Sequence, residues 1–251
     1  MRGPLAYIGG KRAIAKQIIA MLPRHTTYVE PFVGGGQVFF AKPPSKVEVL
    51  NDLDYEIVNF YRVAQRHYEE LVRYLRFTVV SRRYYDLLKA TDVLTLTDIQ
   101  RAARTLYLQK TSYAGRVTKQ NFRTGIVQPP GLNPERLPEL IEETHQRLER
   151  VVLECLPYER VLTKYDSPET CFFADPPYYG IGHYKFNFAP DDFRALAERL
   201  GKVKGSFVLS LNDVREVREL FRAFRIRGIE MPYTAQKAAG RRFREVLISN
   251  F

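Results

Sequence analysis

One short run carries chemistry that is hard to explain as structure alone: Asp175-Pro176-Pro177-Tyr178. It follows the apolar stretch 170–174 (Thr-Cys-Phe-Phe-Ala), which reads as a buried strand. The acid therefore projects from the carboxyl end of a sheet, where open α/β sheets bind ligands. Two consecutive prolines fix the backbone and remove two N–H donors. What remains is a stiff set of acceptors, the Asp175 carboxylate and the Pro176 carbonyl, beside the stacking face of Tyr178. Two acceptors and a flat face suit a planar group that bears an amino function. A rigid turn with a solvated acid would need far less specific residues than an acid-Pro-Pro-aromatic run.

A second candidate is Val33-Gly34-Gly35-Gly36-Gln37-Val38-Phe39, which follows the apolar run 27–30 and precedes a helical pattern. Glycines there let backbone N–H groups approach a ligand closely. Phe39 replaces the third glycine of G-x-G-x-x-G, and the next strand runs into Asn51-Asp52, where an acid can bind ribose hydroxyls. A tight turn explains the glycines alone, whereas loop, strand and terminal acid together point to a nucleoside site. The third candidate is Tyr7-Ile8-Gly9-Gly10-Lys11-Arg12. It is not a Walker loop, because Leu5 stands at the first glycine position and Arg12 replaces the Ser or Thr. Lys11 at a helix start suits pairing with a carboxylate, although an exposed lysine is the ordinary case.

The elements that must hold these residues alternate. Apolar runs at 27–30, 46–50, 151–156, 170–174, 205–211 and 245–250 read as buried strands. Helical patterns at 12–22 and 191–200 lie between them, the first stopped by Pro23 and the second by Gly201. Such alternation implies an α/β sheet. From Tyr55 to Arg150 the rhythm breaks into helical stretches at 55–66, 68–77, 84–89, 98–110 and 134–149, with a polar loop at 111–133. That block reads as a helical insertion.

The chain has 251 residues, enough for one large domain or one domain with an insertion. Lys and Arg total 39 against 28 Asp and Glu, a net +11, which biases the surface toward polyanions, nucleic acid first. The two cysteines, Cys155 and Cys171, exclude a disulfide framework and sit in apolar runs, as buried free thiols would. No apolar run reaches the length of a membrane span, and the first residues hold no apolar targeting segment, so a cytoplasmic protein is expected.

The motifs Tyr7-Ile8-Gly9-Gly10-Lys11, Val29-Glu30-Pro31-Phe32-Val33-Gly34-Gly35-Gly36, Asn51-Asp52 and Asp175-Pro176-Pro177-Tyr178-Tyr179 occur here in a telling order. In that order, and with the closing Arg244-Glu245-Val246-Leu247-Ile248-Ser249-Asn250-Phe251, the chain resembles DNA adenine-N6 methyltransferases of the Dam type over nearly its whole length. The resemblance implies a Rossmann-like class I methyltransferase sheet formed by 1–56 and 147–251. It implies that 57–146 is a helical target recognition domain with a DNA-reading hairpin loop at 111–133. It also implies S-adenosylmethionine as methyl donor and no metal. Tyr7 and Lys11 would meet the methionine end of the cofactor, Phe32, Gly34 and Gly36 would line its loop, and Asp52 would bind its ribose. Asp175 would face both cofactor and target amine, with Pro176, Pro177 and Tyr178 completing the catalytic set. The third strand ends Leu156-Pro157-Tyr158, without the acid-aromatic pair expected there, so no cofactor contact is assigned to it.

The partner expected is double-stranded DNA, with GATC as the target suggested by the family. Adenine N6 is unreachable inside a stacked duplex, so the base must swing out, with Tyr178 stacking on it. Positions 99–134 hold no acid, while Arg101, Arg104, Lys110, Arg116, Lys119 and Arg123 are all basic there. Arg116, Lys119, Asn121, Phe122 and Arg123 are the expected DNA contacts, and Lys237, Arg241, Arg242 and Arg244 form a second basic cluster. His183 lies in the loop after the motif and is expected to contact the loop or a phosphate, since the transfer needs no strong base. A monomer suffices, and a cognate restriction endonuclease is a conceivable partner system. The rival readings are a cytosine-N4 methyltransferase, which more usually carries Ser at the Asp175 position, and a nucleotide-binding oxidoreductase, which Phe39 and the Asp-Pro-Pro-Tyr run oppose.

Overall fold

Alternate residues along each inner strand face opposite ways, and this decides the architecture. Tyr28 and Val29, Phe172 and Phe173, and Val208 and Leu209 are all buried, yet each pair divides between two separate cores. A strand whose side chains are apolar on both faces needs helices on both faces. In the computed structural model, which describes residues 1–6, 10–112, 121–123, 131–182, 184–230 and 244–251, that is what forms.

Seven strands make one sheet: β1 (Thr27–Glu30), β2 (Val47–Asn51), β3 (Val152–Glu154), β4 (Thr170–Ala174), β5 (Ser206–Asn212), β6 (Arg225–Glu230) and β7 (Arg244–Ser249). Their order is β3-β2-β1-β4-β5-β7-β6. β7 runs antiparallel to β5 and β6, while the other neighbouring pairs are parallel. The chain steps outward from β1 to β3 and then returns to lay β4 on the other side of β1. Strand order therefore reverses between β1 and β4, the place where a Rossmann-like sheet opens a crevice at its carboxyl edge. The expected α/β sheet is borne out.

The helices are α1 (Ala15–Met21), α2 (Gln37–Ala41), α3 (Tyr55–Arg66), α4 (Tyr68–Leu75), α5 (Arg82–Ala90), α6 (Asp98–Thr111), α7 (Leu137–Leu148), α8 (Tyr158–Lys164), α9 (Pro190–Leu200) and α10 (Arg215–Leu220). Local chemistry sets many of their starts. Asp54 and Ser81 accept from the N–H groups of Glu56 and Tyr84, and Thr97 with Gln100 forms a capping box. The helix expected over 12–22 is instead a 3-10 turn over Lys11–Ala13 followed by α1, because Ile14 breaks the dihedral pattern between them.

Sequence patterning found no β6, α8 or α10. β6 alternates charge with apolar residues (Arg-Ile-Arg-Gly-Ile-Glu) because it closes the sheet's edge. α10 is short and buries Val217 alone. The third strand is shorter than the run 151–156, since the Leu156 N–H bonds to the Asn51 side chain rather than to a strand. One cysteine expectation also fails: Cys171 is buried, but Cys155 is exposed.

The helical block shares its core with one face of the sheet. Ile57, Phe60, Leu71, Leu106, Ile141 and Leu148 belong to the same buried cluster as Tyr28, Phe173 and Val208. A buried ion network fastens it. Glu48 of β2 accepts from Lys42 Nζ at 2.6 Å and from both terminal nitrogens of Arg147 on α7 at 2.5 and 2.8 Å. The Arg147 guanidinium also lies 3.7 Å over the Phe39 ring. Burial pushes the Glu48 carboxyl up, but these charged donors outweigh it and hold the group below the usual range. Removing the carboxylate leaves two buried cations uncompensated. Glu48→Ala is expected to cost about 3–5 kcal/mol in urea unfolding. Arg62→Ala, which breaks a solvent-exposed pair with Asp98, is expected to cost less than about 1 kcal/mol.

Candidate active site

β4 delivers Asp175 to the carboxyl edge at the reversal point, and β1 delivers Glu30 beside it. Asp175 keeps 22% of its side chain exposed, while Lys11, from the turn before α1, keeps 2%. The two pair at 2.7 Å. Lys11 also donates to the Tyr178 hydroxyl at 2.5 Å, and that hydroxyl donates to Glu245 Oε1 at 2.6 Å. Glu245 further accepts from Ser210 Oγ at 3.3 Å and lies 3.8 Å from Lys11 Nζ.

Burial dominates the electrostatics of this cluster. It pushes the Asp175 carboxyl up to about 6; Lys11 opposes the shift and the Glu245 charge adds to it. Burial, with the charge of Asp175 adding, pushes Glu30 up to about 8, although the Tyr28 hydroxyl donates to it at 2.7 Å. Glu30 is thus a neutral acid beside an ionised one at neutral pH.

A cavity of about 580 Å³ opens in front of these acids. Lys11, Phe32, Gly34, Gly36, Asp52 and Asp175 all line it, so residues drawn from four separated motifs converge on one space. Its glycine loop is built by close approach. Gly34 and Gly36 adopt φ of 45° and 61°, and a Cβ on Gly36 would fall 2.9 Å from the Phe40 ring. Asp52 receives the Gly34 N–H on Oδ2 and the Asp54 N–H on Oδ1, each at 2.9 Å. Burial raises its carboxyl to about 6 against those two bonds, and a carboxylate oxygen that accepts one bond retains capacity for another.

Two buried asparagines pin the rim. Asn51 Nδ2 donates to the carbonyls of Pro31 at 2.8 Å and Leu156 at 3.0 Å, and its Oδ1 accepts the Leu156 N–H. Asn212 exchanges two hydrogen bonds with the backbone of Tyr179. Across the opening lies the segment 184–188. Lys185 reaches Asp54 at 2.7 Å, and Phe188 packs on Phe32, Tyr158 and Phe193.

Several expectations change in detail. The Tyr178 ring is 6% exposed and is held by its hydroxyl, so it offers no open stacking face; the aromatic residues Tyr184, Phe186 and Phe188 are among those that line the cavity. Leu156, Pro157 and Tyr158, which were assigned no contact, form one of its walls. Arg101 pairs with Glu56, and Arg104 donates to the carbonyls of Leu88 and Lys89, so both serve the helical block rather than a free basic face. Phe122 packs on Tyr85 and under Arg82, and the Arg123 N–H bonds to the Thr111 carbonyl, while Asn121 is exposed. Tyr7, Arg116, Lys119, His183, Lys237, Arg241 and Arg242 lie outside the described residues.

Patterning missed Glu30, Glu245 and Lys185. Glu30 carried a usable signal, as the acid that ends the first strand before the glycines. Glu245 stood in the closing run that carries the family resemblance, but nothing local placed it at the site, because the antiparallel pairing of β7 with β5 is what sets the start of that strand opposite Asn212.

The α/β sheet, with its acid-Pro-Pro-Tyr segment, glycine loop and strand-end Asp52 gathered at one carboxyl edge, has the architecture of a Rossmann-like enzyme. The chain belongs to the D12 class N6 adenine-specific DNA methyltransferases, whose family model matches residues 7–234. It is 27% identical to the type II methyltransferase M1.LlaDCHI of Lactococcus lactis subsp. cremoris, over 98% of this chain and 94% of that one. It is 26% identical to a DNA adenine methylase of Vibrio cholerae, over 100% of this chain and 96% of the relative. The type II methyltransferase M.MjaIII of Methanocaldococcus jannaschii is also 26% identical, over 90% of this chain and 89% of its own length. The protein is an adenine-specific DNA methyltransferase, and the oxidoreductase and cytosine-N4 readings fall.

The neutral state of Glu30 has a thermodynamic consequence. The folded chain holds a proton that the unfolded chain releases above the ordinary carboxylate range. The stability this confers is therefore present at low pH and lost as pH rises through about 8. Glu30→Gln is expected to flatten that slope: in urea unfolding at pH 5 and pH 8.5, the wild type should lose more stability than the variant.

Proposed function

We propose that the cavity binds S-adenosylmethionine and that Asp175 and Pro176 hold the N6 amine of an adenine swung out of duplex DNA. The residues fit the cofactor. Asp52 keeps lone pairs for two sugar hydroxyls, the positive-φ glycines admit close backbone approach, and Phe32 with Tyr158 supplies apolar walls. Lys11 lies under Asp175, so its part is to hold that carboxylate rather than to meet the cofactor's own carboxylate directly. Bound there, the sulfonium supplies an already activated methyl group.

The chain's task is then to prepare the amine. The N6 lone pair is delocalised into the ring. Hydrogen bonds from N6–H to the Asp175 carboxylate and the Pro176 carbonyl localise the pair and aim it, which is positioning plus electrostatic preorganisation. Pro176 and Pro177 keep these acceptors from relaxing away. Tyr178 anchors the motif through its hydroxyl, and the stacking partners of the extruded base come from the aromatic rings at the opening. The proton that leaves N6 after transfer is taken by Asp175 or water.

Target reading is assigned to the helical block of 57–146 and its 111–133 loop, with Arg116, Lys119, Asn121 and Arg123 toward the DNA and Phe122 as the loop's internal anchor. GATC is the target expected from the family, and the type II names of two relatives favour a restriction-modification setting with a cognate endonuclease. The single observation that carries the reading is the convergence of Asp175, Lys11, the glycine loop and Asp52 on one cavity. Asp175→Ala should abolish methyl transfer while DNA binding in a mobility shift survives; retained turnover defeats the assignment. Arg116→Ala should relax sequence preference when modified adenines are mapped by sequencing, whereas a uniform loss of affinity for all sequences would make Arg116 a phosphate contact.

A further inference from the structure

We propose that Glu245 is a positioning residue for methyl transfer: through the Tyr178 hydroxyl it shares the Lys11 ammonium with Asp175 and so keeps Asp175 available as an acceptor for the target amine. This rests on the reading of Asp175 given above and extends it to a residue on a different strand. The four groups form one chain, Asp175 to Lys11 at 2.7 Å, Lys11 to Tyr178 at 2.5 Å and Tyr178 to Glu245 at 2.6 Å. Lys11 and Asp175 line the cavity while Tyr178 and Glu245 do not, and with Lys11, Tyr178 and Glu245 each less than 9% exposed, Asp175 is the most exposed member of the four.

The physical argument turns on charge count. A buried one-to-one pair of Lys11 and Asp175 would spend the carboxylate's charge on the ammonium. A second buried carboxylate divides that ammonium, draws it toward the sheet and leaves Asp175 a stronger acceptor. Glu245 is placed for this by β7, which pairs Glu245 with Asn212 at the carboxyl end of β5. Ser210 Oγ, also from β5, bonds its other oxygen.

The described titratable groups around Asp175 come from every neighbouring element: Lys11 from the turn before α1, Glu30 from β1, Tyr178 and Tyr184 from the segment after β4, and Glu245 from β7. Glu30 holds a proton at neutral pH, so Glu245 is the one that places a second negative charge there.

The test is a pH profile of the single-turnover methyl-transfer rate on duplex DNA at saturating S-adenosylmethionine. The wild-type rate should fall as pH drops through about 6, when Asp175 takes up a proton. Glu245→Gln keeps an acceptor for Tyr178 but removes the charge. It should lower the plateau rate roughly tenfold and move the acid limb down by on the order of one pH unit, with dissociation constants for cofactor and DNA within about twofold of wild type. An acid limb that stays at the wild-type pH in Glu245→Gln, or weakened binding at an unchanged rate, overturns the role of Glu245 and leaves that of Asp175 standing. A wild type with no acid limb overturns both. Tyr178→Phe cuts the chain without altering any charge and covers the case in which Glu245→Gln does not fold. It should slow transfer with little change in the position of the limb, and a wild-type rate in that variant overturns the proposal.

Discussion

A lysine ammonium and an aspartate carboxylate, paired at 2.7 Å with the lysine 2% exposed, are the constraint on which the site depends. Neither charge could be buried alone without a large desolvation cost. The pair forms because the turn before α1 brings Lys11 to the acid that follows β4. Its place at the strand-order reversal makes the location of Asp175 a consequence of the sheet's topology. Holding Asp175 near 6 is a compromise: burial pushes it toward neutrality, and Lys11 keeps it usable as an acceptor at neutral pH.

Beside the aromatic packing of Phe188 on Phe32, Tyr158 and Phe193, hydrogen bonds hold much of the rest of the rim. Parallel strands end in loops whose backbone groups lose their ladder partners, and such groups must be satisfied elsewhere when they are buried. Asn51 and Asn212 serve this need at the ends of β2 and β5, each acting as a backbone-like partner for a neighbouring loop. Asp52 does the same for Gly34 and Asp54. These bonds fix the cavity's walls, so the glycine loop can follow a strained path without collapsing into the space it encloses.

The helical block illustrates how composition can mislead. The acid-free stretch after Asp98 reads as a basic face, but Arg101 and Arg104 satisfy a glutamate and helix-terminal carbonyls inside the block. The bulk of that block is tied to the sheet by shared core and by the Arg147–Glu48–Lys42 network. These contacts hold the helices of the block against the same sheet that carries Asp175.

Much was legible from the chain alone. The strands at Thr27–Glu30 and Thr170–Ala174 and the helix at Tyr55–Arg66 fall where apolar runs and periodicity place them. Asp175, Asp52 and the glycines announce themselves because strand-end chemistry is local: an acid or a glycine after an apolar run has few other uses. Glu245, the burial of Tyr178, and the wall at Leu156–Tyr158 were not legible. Each depends on pairing between segments far apart in the chain, as when the antiparallel β7 brings its first residues beside the end of β5. Side-chain type and spacing determined what chemistry the chain could perform. Only long-range strand pairing decided which charges share one buried ammonium, because burial and proximity belong to the assembled sheet and to no single stretch of sequence.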